Sequence, residues 1–183
     1  MKYVLWCVGT FLMAFIILVV AAPLRGHFER EIIIERPIAE VFPHLKSLKE
    51  APQWNAWLRK DPNAKLAYKG VDGELGSMIE WQSSHKELGN ADQKIVRIVP
   101  NERVDTIIHF RDPMDMKFVS FLSTQALSET RSLVKMGVNN EFTRPMNAVS
   151  LIMRQLMSVE EMMTTNTDES LRNLKHLIET PRP

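Results

Sequence analysis

The chain has 183 residues, 45% hydrophobic and 25% charged, with 23 Lys and Arg against 22 Asp and Glu. A net charge of +1 excludes the strong positive field on which nucleic-acid binding depends. A single Cys excludes an internal disulfide and any multi-cysteine zinc or iron–sulfur site, so the fold must rest on its core.

Charge is distributed unevenly: Lys2 is the only charged residue before Arg25, and Tyr3–Leu24 carries none. As a helix rising about 1.5 Å per residue, this run would be about 30 Å long, the thickness of a hydrocarbon core. Tyr3 and Trp6 sit near one end, where amphipathic rings favour the headgroup boundary. The competing reading is a cleaved signal peptide, with Lys2 as a minimal positive region and Val20-Ala21-Ala22 as the cleavage site. Pro23 follows Ala22 directly, and the run exceeds the ~7–15 residues of a usual signal core, so an uncleaved anchor is preferred. The expectation is a membrane segment through residues 3–22, an anchor unit over 1–25, and the remainder on the exported (periplasmic or extracytoplasmic) side. Arg25, Arg30 and Arg36 leave the positive-inside rule undecided, and the side is chosen on likeness to a signal sequence.

From residue 26 the period changes. Phe28, Ile32 and Ile34 alternate with Glu29, Glu31 and Glu35, which predicts a strand with one buried face. Pro37 ends it, and Ile38, Val41, Phe42 and Leu45 then recur at helical spacing, with Pro43 predicting a break or kink. Lys46–Trp54 reads as a second short helix or turn closed by Pro52. Two-period segments follow at Lys65–Lys69, Ser77–Gln82, Gln93–Val99, Val104–Phe110, Met116–Leu127 and Arg131–Asn139. Turn residues between them, such as Asp72-Gly73 and Pro100-Asn101, predict an antiparallel meander.

Helical spacing returns at Val149, Ile152, Met153 and Leu156, with Pro145 suited to the helix start. Ser158-Val159-Glu160-Glu161 matches a capping box, and Leu171, Leu174, Leu177 and Ile178 carry the stripe towards Pro181. Residues 26–183 therefore read as one α+β domain.

Particular segments resemble a known family. Glu31-Ile32-Ile33-Ile34-Glu35-Arg36-Pro37-Ile38-Ala39-Glu40-Val41-Phe42, Trp54-Asn55-Ala56-Trp57 with Asp61-Pro62-Asn63, and Gly73-Glu74-Leu75-Gly76-Ser77 look like the polyketide cyclase/dehydrase-like branch of the SRPBCC (START/Bet v 1-like) superfamily. Pro100-Asn101-Glu102-Arg103 and Leu171-Arg172-Asn173-Leu174-Lys175-His176-Leu177-Ile178-Glu179 are also similar. Arg36 departs from the small residue usual before the proline, and Gly89-Asn90-Ala91 only partly keeps a glycine-rich turn. The resemblance covers nearly everything from His27 to Glu179. It implies the helix-grip fold: a curved antiparallel sheet of about seven strands around a long C-terminal helix and a cavity, here preceded by one N-terminal transmembrane helix.

The chain carries no P-loop, Gly-x-Ser-x-Gly elbow, His-Glu-x-x-His or dinucleotide glycine motif. No catalytic residue, metal or cofactor is assigned. Aromatic and thioether side chains are more informative, because they build adaptable apolar walls. Candidate cavity-lining residues are Trp54, Trp57, Met78, Trp81, Phe110, Phe118, Met136, Met153 and Met157. Trp54 and Trp57 lie three apart, one helical turn, on a segment that covers the cavity mouth in this fold. If Phe110 faces inward, His109 faces solvent.

The preferred function is non-catalytic binding of a hydrophobic small molecule or lipid beside the membrane. One alternative is a cyclase or dehydratase acting on a polyketide-like or aromatic substrate, for which Tyr68 is the sole domain tyrosine. The other is a protein-interaction module of the cell envelope.

Overall fold

The alternation after Gly26 becomes strand β1 (Arg25–Ile34) in a computed structural model that describes residues 2–112, 115–156 and 158–180. Side chains at 2, 4, 5, 112 and 153–156 lie outside that description. Six further strands follow: β2 (Lys65–Lys69), β3 (Met78–Gln82), β4 (Asn90–Val99), β5 (Arg103–Asp112), β6 (Met116–Ser128) and β7 (Arg131–Glu141). They form one antiparallel sheet in the order β1-β7-β6-β5-β4-β3-β2. β2 to β7 are thus a plain meander, and β1 closes against its last strand. Register shifts at Asn90/Ala91, Ile95/Arg97 and Ala126/Ser128 bend the strands, as bulges do.

Between β1 and β2 run three helices, α2 (Ile38–Lys46), α3 (Ala51–Trp54) and α4 (Ala56–Arg59). After the sheet come α5 (Met146–Leu156) and α6 (Val159–Glu179), and α6 packs on β1, β7, α3 and α4. The core lies between the sheet and these helices. Ile34, Ile79, Ile95, Val104 and Val134 meet Val41 and Leu45 of α2 and Leu171 and Leu174 of α6, all buried. Each such aliphatic side chain contributes about 1.5–3 kcal/mol when fully buried.

Three local expectations are corrected. α2 continues through Pro43, because the buried Phe42 and Leu45 on either side pin a helix that loses one backbone bond there. Pro52 occupies the first turn of α3, where its missing N–H has no helical partner to lose, so it opens that helix. Ser158 does precede α6, but with a left-handed φ of 49° and no side-chain cap bond. An N-cap hydroxyl reaches the following N–H groups from extended backbone, so no capping box forms.

Tyr3–Leu24 contributes α1 (Lys2–Ala21), a 20-residue helix. Its side chains are described at Tyr3 and from Trp6 onward, and among the described residues no helix is long and apolar enough to cross a membrane. The apolar side chains of Trp6, Phe11, Met13 and Ile17 are exposed.

Candidate functional site: the concave face of the sheet

Residues paired across antiparallel strands share a face, so the registers assign every strand side chain to one side. Phe28, Val138, Ser120, Thr106 and Ile95 form one concave row. Phe118, Ile108, Gln93, Ile79 and Tyr68 form another. Burial is graded along these strands. At the end where β1 finishes, Ile34, Ser132, Val134, Thr124 and Val104 are buried. At the end where β1 begins, Phe28, Val138, Phe118, Ile108 and Phe110 on β1, β7, β6 and β5 are only half-buried, while Ala91 and Trp81 in line with Phe110 are buried. The grip is therefore closed at one end and open at the other, and the open end adjoins α1.

An aromatic row crosses the sheet near the open end. Phe110 meets Trp81 edge-on at 6.3 Å between centroids and Phe118 edge-on at 5.9 Å. This geometry suits the ring quadrupoles and holds the wall rigid. Trp81 also donates its Nε1–H to the Leu88 carbonyl at 3.3 Å. Met136 lies on the concave face of β7, opposite Leu122, and packs on the core. His109 faces outward, with Nε2 2.9 Å from Asp115 Oδ1, as an inward Phe110 requires.

The other sequence candidates do not join this row. Met78 pairs with Lys69 and Lys94 on the convex face, because it lies three residues from Trp81 and odd separations on a strand change sides. Trp54 and Trp57 do not share a helical turn: Asn55 separates α3 from α4 and caps α4 through Oδ1, which accepts from the Trp57 N–H. Trp54 is buried in the core, and its Nε1–H has no partner among the described atoms. Trp57 is half-buried beside Lys60, whose Nζ lies 4.8 Å from the ring centroid. Met153 belongs to α5 with its side chain outside the description, and Met157 lies outside the described residues.

Polar groups absent from the sequence reading punctuate the wall. Arg30 donates to Asp168 of α6 through Nε at 2.7 Å and Nη2 at 3.0 Å, a two-pronged clamp between sheet and helix. Hydrogen bonding to Asp168 raises the Arg30 pKa further, keeping the guanidinium charged. Gln93 Nε2 donates to Thr106 Oγ1 at 3.0 Å, beside the buried Ser120. Among the described residues of the concave sheet face, the titratable side chains are Arg30 and Tyr68. Burial pushes the Tyr68 phenol up, with Asp72 adding to the shift, so it stays protonated. Strand parity was the available signal for Phe28 and Ile108; Arg30–Asp168 had none, since the partners are 138 positions apart.

Among the described residues, one cleft lies away from the aromatic row and a second lies at the sheet edge beside Trp81. The first, of about 210 Å³, lies between α4 and α6, lined by Ala56, Arg59, Lys60, Asn166 and Glu169. The other, about 150 Å³, lies on the edge strand beside Leu66 and Glu80. Both are smaller than the ~300–1,000 Å³ of usual small-molecule sites. No group of three His, Cys, Asp or Glu among the described residues is placed to hold a metal ion.

A curved seven-stranded antiparallel sheet gripping a long C-terminal helix is the helix-grip, Bet v 1-like fold. Solved structures with this architecture include truncated norcoclaurine synthase from Thalictrum flavum, 13% identical, at a TM-score of 0.61 over 88% of this chain and 98% of that one. Ara h 8.0201 is 13% identical, with a TM-score of 0.55 over 84% of this chain and 97% of that chain. The Aha1 dimer from Colwellia psychrerythraea is 14% identical, with a TM-score of 0.56 over 86% and 99%. At these identities the likeness establishes the fold alone. No family model matches the sequence, and no curated protein does.

Proposed function

We propose that the chain is a membrane-tethered helix-grip protein that takes a hydrophobic small molecule or lipid through the open end of its grip. The observation that carries this reading is the coincidence of two features at one end of the sheet. The concave wall of β1, β7, β6 and β5 is apolar and half-exposed there at Phe28, Val138, Phe118, Ile108 and Phe110, and β1 emerges there from a helix whose apolar side chains are exposed. Exposed apolar side chains need an apolar surrounding, and the charge-free run Tyr3–Leu24, counted over the full sequence rather than over the described side chains alone, matches the thickness of a hydrocarbon core. In this reading residues 1–25 are the anchor and 26–183 the ligand-binding domain, on the exported side. Trp81, Phe110, Phe118 and Met136 line the site with Phe28 and Val138, and Trp54 belongs to the core.

A paired Arg30 and a protonated Tyr68 supply no ready proton acceptor on the sheet wall, which favours holding a ligand over cyclase or dehydratase chemistry. Native mass spectrometry of the full chain, extracted from membranes in mild detergent, tests the proposal. A bound lipid or other apolar adduct that is lost in Phe118→Arg is the expected result. Absence of any adduct, with no thermal shift from fatty acids, sterols or polyketides, would reject it.

A further inference from the structure

We infer that α5 is an interfacial helix, lying on the bilayer surface with its apolar side in lipid and holding the open end of the grip against the membrane. This rests on the anchor reading above and adds to it a second, separately testable membrane contact. Among its described side chains, 146–152, α5 exposes large apolar groups and buries a polar one beside Ala148. Its polar Asn147 is buried, and Nδ2 donates to the carbonyls of Val19 at 2.8 Å and Ala22 at 2.9 Å, at the end of α1. Met146, Val149 and Ile152, three apart along one side of the helix, are exposed.

The position of α5 says what covers that side. Asn147 satisfies carbonyls that the last turn of α1 leaves open, so α5 starts where the apolar helix ends. Arg144 Nη2 also reaches the Val20 carbonyl, at 3.5 Å, and the Phe142 N–H donates to the Leu24 carbonyl at 2.8 Å. If α1 spans about 30 Å of hydrocarbon, these bonds fix α5 at the boundary between acyl chains and headgroups. Arg25 and Arg144 then stand at the phosphate level, where cations are favoured. An interfacial helix buries its apolar face about 5–10 Å into that boundary.

The test uses the full chain, with Cys7→Ser, reconstituted in phosphatidylcholine/phosphatidylglycerol vesicles. An environment-sensitive NBD label is placed on Ile152→Cys, on Met146→Cys as a second site, and on Leu127→Cys as a reference. Leu127 is exposed at the far end of β6, nine strand residues or ~30 Å beyond Phe118. Labels on α5 should be quenched severalfold more strongly by lipids bearing a shallow nitroxide than the label at Leu127. Shallow nitroxides should also quench them more than deep ones. If neither α5 label is quenched while the chain resists alkaline carbonate extraction, α5 does not lie in lipid and the inference fails, although the anchor stands. Release of the chain by carbonate would overturn the anchor and this inference together. Unquenched α5 labels whose emission changes on dilution of the protein in the vesicles would place a second copy on that face, and would equally overturn it.

Discussion

Gly137 sits on the convex face of β7, and a Cβ there would come within 2.6 Å of Phe121 Cζ and also meet the Phe28 carbonyl oxygen. Phe121 cannot yield easily, because His27 stacks on it at 6.1 Å and the Arg103 guanidinium lies 4.0 Å from its centroid. Gly137→Ala should therefore lower the melting temperature of the full chain in detergent, at a cost of about 1–3 kcal/mol. Phe121→Leu in the same background should recover only the ring's share, leaving the clash with the backbone oxygen. Acid acts on other single residues. Asp61 Oδ2 accepts from Ser83 Oγ at 2.5 Å, and Oδ1 accepts from the Asn63 N–H at 3.0 Å. The Ser83 hydroxyl first, then the Asn63 N–H, hold this carboxyl below the ordinary aspartate value of 3.8. A depressed folded-state pKa gives stability that is present above the unfolded value and lost as pH falls through the folded one. Glu29, held down by Lys135, and Glu80, held down by Lys69, act in the same direction. Melting temperature should thus fall below about pH 4. Ser83→Ala should raise the Asp61 titration midpoint in a carboxyl NMR titration. An unchanged midpoint would show that Ser83 is not the main cause.

Elements are joined by a few polar hubs, and Asp72 is one. On the turn between β2 and β3, its Oδ1 accepts from the backbone N–H groups of Leu48 at 2.8 Å and Lys49 at 3.2 Å, and its Oδ2 from Ser47 Oγ at 2.7 Å. This ties the turn to the end of α2. Asp72→Ala leaves two N–H groups without their acceptor and should cost about 1–3 kcal/mol in thermal unfolding. Asp72→Asn keeps Oδ1 and should cost less; equal losses would mean that the charge, not the acceptor, matters. At this scale the sequence was most readable. β2 matches its predicted span residue for residue, because Leu66 and Tyr68 alternate with Lys65, the small Ala67 and Lys69. β4 starts at Asn90, earlier than the predicted Gln93, where a bulge interrupts the alternation that would have revealed it. Element order, the meander and α6 were likewise legible in periodicity alone. The wall of the site was legible only in part. Trp81 and Phe110 could be named from composition, yet Met78 needed strand parity, and Trp54 and Trp57 needed the break at Asn55. Thr106 and Ser120 follow by parity from Ile108 and Phe118, whereas the pairing of Arg30 with Asp168 became visible only in the tertiary structure, which no local pattern encodes.

Across the whole molecule, the open end of the grip and the end of α1 are separated by only Ala22, Pro23 and Leu24 before β1 begins. Such a short joint, fastened by Asn147 to α1, leaves the mouth little freedom to turn away from the end of that helix. On the proposed reading this arrangement governs how a ligand arrives, whereas the wall of Phe28, Trp81, Phe110 and Phe118 governs how well it is held. Rate and occupancy should then separate. Inserting a ten-residue Gly/Ser linker between Leu24 and Arg25, together with Asn147→Ala, gives the domain about 16–19 Å of free tether. Transfer of a fluorescent apolar ligand from labelled vesicles to the reconstituted variant should slow, while its final occupancy stays as in the parent chain, because no wall residue has changed. An unchanged rate would mean that ligand enters from water, and that closeness to the bilayer plays no part. A fall in occupancy as well as rate would mean that the joint supports the wall itself, by holding the first residues of β1 against β7. Circular dichroism of the same variant distinguishes that outcome, since fraying of β1 would lower the strand signal and intact presentation would not.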